Sequence, residues 1–121
     1  MKRVLVCGGR DYSDLRVIDR TLKEVHLRHG IGILIHGAAK GADEYCKQWA
    51  ESNGIHAAGV RALWEFYDKP AGPKRNSVML ILQPELLVAF PGGSGTADMV
   101  RKATNAGIPI HRASVQKGGG L

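Results

Sequence analysis

Apolar residues along this chain fall into two alternating patterns. The first is the short unbroken run. Residues 3–7 (RVLVC), 31–36 (IGILIH) and 86–90 (LLVAF) are too short for helices, rich in β-branched and aliphatic side chains, and each stops at Gly or Pro. Runs of this kind predict strands buried on both faces of a parallel sheet. Weaker runs at 55–61 and 108–111 predict two more strands. The second pattern is a spacing of three and four, which places apolar side chains on one helical face. Leu15, Ile18, Leu22 and Val25 mark a first helix that Ser13 or Asp14 can cap and Gly30 closes. Tyr45, Cys46, Trp49 and Ala50 mark a second, stopped by Asn53 and Gly54. Val78, Met79 and Leu82 form the apolar face of a third, with Pro73 in its first turn and Pro84 beyond its end. Met99, Val100 and Ala103 point inward on a fourth, and Gly107 lies past it. Residues 62–73, with Trp64, Phe66, Tyr67 and two prolines, predict a loop.

Strands alternating with helices predict an α/β fold, a three-layer Rossmann-like sandwich with a parallel sheet of about five strands. A chain of 121 residues has room for one core. The expectation is a single domain over 1–113 and a flexible tail over 114–121, where the glycine run at 118–120 has nothing to pack.

Composition narrows the class without naming it. The chain is 44% apolar and 23% charged, as globular proteins are. Its formal charge of +6 attracts anions, yet the basic residues are dispersed. Arg10, Arg16, Arg20 and Lys23 alternate with Asp11, Asp14, Asp19 and Glu24, which reads as solvated surface. No apolar stretch reaches the length of a membrane span, and the one at the N-terminus is too short for a signal peptide. The chain is therefore expected in the cytoplasm. Cys7 and Cys46 read as buried reduced thiols. Five histidines (26, 29, 36, 56 and 111) lack the Cys or carboxylate partners that a metal site needs, so no metal is expected.

The candidate chemistry lies where predicted strands end. Three glycine-rich turns stand between a strand and a helix. They are Gly8-Gly9-Arg10-Asp11; Gly37 with Lys40, Gly41, Ala42 and Asp43; and Pro91-Gly92-Gly93-Ser94-Gly95-Thr96. In an open parallel sheet such turns sit side by side at the carboxyl edge, where ligands bind. Glycine lets the backbone approach a ligand, and the helix that follows offers free N–H groups to a phosphate. PGGSGT lacks the Lys-Ser/Thr ending of a P-loop, and Gly8-Gly9 lacks the GxGxxG spacing. A fourth cluster, AGPKRN, puts Arg75 and Asn76 in the first turn of the third helix, where Arg can clamp phosphate or carboxylate.

Together, VCGGRDYSD, HGAAKGADEYCKQWA, AGPKRN and LLVAFPGGSGTADMV resemble the SLOG superfamily of Rossmann-like proteins, which joins Smf/DprA proteins and LOG phosphoribohydrolases. Within it the chain resembles the small YspA-like branch of bacteria and phages. The resemblance implies a nucleotide or nucleotide-derived ligand, NAD-derived or cyclic, held at the clusters just described by a sensor, sequestering or processing module. It also implies self-association, as a homodimer or larger homo-oligomer. One alternative is a LOG-like enzyme that hydrolyses an N-glycosidic bond. Arg75 falls near an Arg that acts in those enzymes, but Met99 stands where their motif has its catalytic Glu, and a thioether cannot act as a general acid. A second alternative is DprA-like binding of single-stranded DNA. The charge favours it, and the lack of a basic strip with stacking aromatics weighs against it.

Overall fold

Five strands form one sheet in the order β3-β2-β1-β4-β5, and every neighbouring pair is parallel. In this computed structural model, which describes residues 1–113, the strands are β1 (Lys2–Cys7), β2 (Ile31–His36), β3 (His56–Gly59), β4 (Leu86–Ala89) and β5 (Ile110–Arg112). The tail expected at 114–121 lies outside the described residues. Successive side chains of a strand point to opposite faces. Val4, Val6, Leu34, Leu86 and Val88 therefore join one apolar cluster, while Leu5, Cys7, Ile35, Leu87 and Ala89 join another. Helices α1 (Leu15–His29) and α2 (Ala42–Ser52) cover the first face with Ile18, Leu22, Val25, Cys46, Trp49 and Ala50. Helices α4 (Ala71–Ile81) and α5 (Ser94–Asn105) cover the second with Met79, Met99 and Ala103. The expected three layers are present. The strand order reverses between β1 and β4, the crevice where open α/β sheets bind ligands.

Several boundaries differ from the sequence reading, each for a local reason. Residues 62–73 are not all loop. A short helix α3 (Trp64–Tyr67) forms there, and α4 already starts at Ala71, within that stretch. Pro73 is still in the first turn, where its missing N–H costs nothing. α5 starts at Ser94, inside the PGGSGT turn rather than after it. β3 pairs only over 56–59, because its partner β2 ends at His36. β5 starts at Ile110, because the Ile108 N–H still donates to Ala103 O, closing the end of α5.

Two apolar faces also differ. Leu15 is exposed, and Val17 and Thr21 are buried beside Ile18 and Leu22. On α4, Val78 and Leu82 are exposed, and the buried stripe is Gly72, Asn76 and Met79. Small and polar residues on that stripe let α4 lie close to α5. Asp14 caps α1 by accepting from the Val17 N–H at 3.2 Å.

Candidate functional site

The carboxyl ends of β1 and β4 open into a cleft of about 1180 Å³. Its walls come from three loops and the first turns of two helices, and each part is fixed by a specific contact. The β1 and β4 loops touch directly, with the Gly9 N–H donating to Pro91 O at 2.8 Å. The turn after β2 reaches the same place from below. The Ala42 N–H donates to Gly9 O at 3.1 Å, and Gly41 takes φ of 77°. A Cβ at Gly41 would lie 2.3 Å from Gly9 O, so this position excludes any side chain. Gly92 is equally constrained, because a Cβ there would lie 2.1 Å from Thr96 Oγ1 and 2.7 Å from Gly9 N. Gly93 and Gly95 differ, since a Cβ on either meets nothing within 4 Å. Their surfaces face open space.

Of the residues singled out from the sequence, Gly8, Gly9, Arg10, Asp11, Asp43, Arg75 and Asn76 line the cleft, together with Pro91, Gly92, Gly93, Ser94, Gly95 and Thr96. Gly37, Lys40, Gly41 and Ala42 do not line it. Gly37, Gly41 and Ala42 build its support, and Lys40 is exposed outside it. Tyr12, Trp64, Lys69, Asp98 and Arg101 also line it. Of these, Arg101 was legible in principle, since Ser94, Asp98 and Arg101 follow a helical spacing of four and three. Lys69 lies between two short helices and carries no signal of its own.

The start of α5 is the most prominent donor surface. Gly93 is its N-cap and no side chain caps it. The first N–H groups of a helix have no partner within it and carry a partial positive charge. Here they belong to Ser94, Gly95 and Thr96, all on the cleft wall.

Arg75 and Asn76 tie α4 to the rest of the site. Arg75 Nη1 donates to Gly37 O, and its Nε donates to Asn76 Oδ1 at 3.0 Å. Asn76 Nδ2 then donates to Gly95 O at 3.2 Å and to Asp98 Oδ2 at 3.0 Å. Asp98 pairs with Arg101 and Lys102, and Lys102 Nζ donates back to Pro73 O at 2.6 Å. This network holds the first turn of α4 against the first turn of α5. Two of the Arg75 nitrogens are thus committed to the protein, and its part in the site is positional as well as electrostatic. Burial works against the Asp98 carboxylate, but the bonds from Asn76 and Lys102 outweigh it and hold the group low.

Asp43 is the buried carboxyl of the cleft. The N–H groups of Gly37 and Ala39 donate to its Oδ2 at 3.0 and 3.3 Å. Burial pushes its pKa up to about 6, only partly offset by those amides and by Arg75 and Arg10. Burial also pushes the Cys7 thiol up to about 12, with the Asp43 charge adding to it, so Cys7 stays protonated and unreactive. Among the described residues no group of three His, Cys, Asp or Glu gathers as a metal site requires. Likewise no helix among them is long and apolar enough to cross a membrane. Met99, 1% exposed, lies in the apolar cluster beneath α5 and not on the cleft wall.

Comparison with known proteins agrees with this architecture. A family model described as "YAcAr: YspA, cpYpsA-related SLOG family" matches residues 2–67. The Gene 61 protein of Mycobacterium phage D29 is 35% identical over 118 residues, covering 91% of this chain and 94% of that protein. Among solved structures, DNA processing protein A (DprA) of Streptococcus pneumoniae matches with a TM-score of 0.74 at 18% identity, covering 98% of this chain. The chain spans about half of that protein, 53% of its length. The Moco carrier protein of Chlamydomonas reinhardtii matches with a TM-score of 0.65 at 20% identity, covering 97% of this chain and 78% of that one. At these identities the two structures show a shared fold.

Proposed function

We propose a function from one premise: the chain belongs to the YspA, cpYpsA-related SLOG family. Its cleft binds a nucleotide or nucleotide-derived ligand through the phosphate, as a sensor, sequestering or processing module. The observation that carries this reading is convergence. Loops from β1 and β4, the first turns of α4 and α5, and the Asp43 carboxyl meet around one cavity at the strand-order reversal. The uncapped start of α5 supplies N–H donors there, and Gly93 and Gly95 leave the backbone accessible. Arg10, Lys69, Arg75 and Arg101 line the same cavity, and a positive field with backbone donors suits a phosphate group. A volume of about 1180 Å³ accommodates a base, a ribose and phosphates together.

Hydrolysis of an N-glycosidic bond is the second reading, and one observation favours it. Asp43 lines the cleft beside Arg75, and burial holds its carboxyl near neutrality at a pKa of about 6, the range in which a carboxyl exchanges protons readily. A LOG-type carboxylate at position 99 is ruled out, because Met99 is in the core. Binding of single-stranded DNA rests on the net charge and on analogy with DNA processing protein A.

The test is mass spectrometry of the small molecules released when freshly purified protein is denatured. A nucleotide or nucleotide-derived phosphate is the expected species. A ribose phosphate would favour hydrolysis, and an oligonucleotide as the sole species would contradict the phosphate-cleft reading.

A further inference from the structure

Trp64 is a large aromatic residue without a core to serve. It starts α3, a four-residue helix that buries none of its side chains. Trp64 is 44% exposed, and of the three aromatics on α3 it alone lines the cleft. Its position is nevertheless fixed from α4: a Cβ on Gly72 would lie 3.2 Å from Trp64 Cη2, so the glycine is what admits the ring. Above the ring lies the Arg10 guanidinium, 5.0 Å from the ring centroid. Arg10 and Trp64 both line the cleft, so this ring face is reachable from it. Arg10 itself is exposed, and it belongs to the loop whose Gly9 contacts Pro91.

We propose that Trp64 is the platform on which the ligand's base stacks, on the ring face that Arg10 covers in this structure. The base then lies toward α3 and the phosphate toward the start of α5. Arg10, displaced from the ring, remains on the cleft wall, where its charge faces the phosphate. This inference rests on the nucleotide reading above and adds a base-binding residue to it. A π-face accepts any base, so Trp64 provides affinity for the base end without reading its hydrogen-bonding edge.

The two tryptophans make the test direct. Trp49 is buried and donates its Nε1–H to Asp19 at 3.0 Å, away from the cleft. A change in emission on ligand binding therefore reports Trp64. The parent protein, Trp64→Ala and Trp64→Phe are titrated calorimetrically with the four 5′-ribonucleoside monophosphates and with ribose 5-phosphate, and the emission of the parent is followed alongside. The nucleotides are expected to quench the emission, and ribose 5-phosphate is not. Trp64→Ala is expected to lower nucleotide affinity by roughly 5- to 150-fold, the range of base–aromatic stacking. Its ribose 5-phosphate binding stays unchanged, and Trp64→Phe recovers most of the nucleotide affinity. Nucleotides that bind Trp64→Ala as tightly as the parent overturn the platform and leave the phosphate site standing. So does an equal loss for nucleotides and ribose 5-phosphate. A parent protein that binds none of the five probes overturns the nucleotide reading, and the platform with it.

Discussion

Single residues of the cleft divide into those that face a ligand and those that hold others in place. Asp43 belongs to the second group, and its burial makes a signed prediction. In the folded protein its carboxyl keeps its proton up to about pH 6, whereas the unfolded chain releases it near the ordinary aspartate value of 3.8. The folded state therefore binds more protons between those values, and the stability Asp43 contributes is lost as pH rises through 6. Asp43→Asn keeps an acceptor oxygen for Gly37 and Ala39 and removes the charge. From pH 4 to pH 7 the parent should lose about 2 kcal/mol relative to this variant. Urea midpoints of both proteins at the two pH values measure the difference, and a difference that does not change with pH would contradict the assignment. Met99 shows the same division. The family resemblance placed it at a catalytic position of related enzymes, and its burial among Leu5, Met79 and Leu87 makes it a packing residue.

At the scale of elements, the turn between β4 and α5 carries the sharpest contrast, because two adjacent glycines have different reasons to be glycine. Gly92→Ala forces a Cβ into Thr96 and Gly9, so it should lower stability by about 1–3 kcal/mol, as overpacking does. Gly93→Val meets no protein atom within 4 Å at its Cβ. It should leave the melting temperature close to that of the parent and abolish ligand binding by filling the approach to the α5 amides. Thermal melts with calorimetric titration separate the two. The reverse pattern, a stability loss at 93 and a binding loss alone at 92, would refute this picture of the turn.

Strands were the most legible elements in the sequence, since β1, β2 and β4 are apolar runs bounded by Gly or Pro. The face of α4 was the least legible. Periodicity assigned Val78 and Leu82 to the core, but the helix packs through Gly72, Asn76 and Met79. The reason is the polar network from Arg75 to Lys102, in which a buried Asn is satisfied by partners on α5 that are remote in sequence. No local pattern of hydrophobicity encodes such a partner. α3 was missed because four residues are too few for a helical period to register.

For the whole molecule, the sheet order explains why the site is where it is. β1 lies at the centre, the chain winds outward to β2 and β3, and then crosses to β4 and β5. The helices after β1 and β4 pack on opposite faces of the sheet, so beyond the Gly9–Pro91 contact their loops part and leave the cleft between them. That much followed from strand–helix alternation and three glycine turns. Which residues of those turns face the cavity did not follow, because Gly37, Gly41 and Ala42 sit in the same motifs as Asp43 and are spent on packing against β1's loop and Arg75. The net charge of +6 likewise gains meaning only from placement, with four of the cations gathered on the cleft wall beside three carboxylates.

The proposed phosphate-bearing ligand sits at the start of α5 within this cleft. Amide chemical shifts test it residue by residue in a chain of this size, by titrating ¹⁵N-labelled protein with a 5′-ribonucleotide. The largest changes are expected at Gly93, Ser94, Gly95 and Thr96, with Gly9, Arg10 and Asp11 next, and little change along α1. Saturable changes confined to α1 or to the β3 edge, with the amides of 93–96 unmoved, would contradict it.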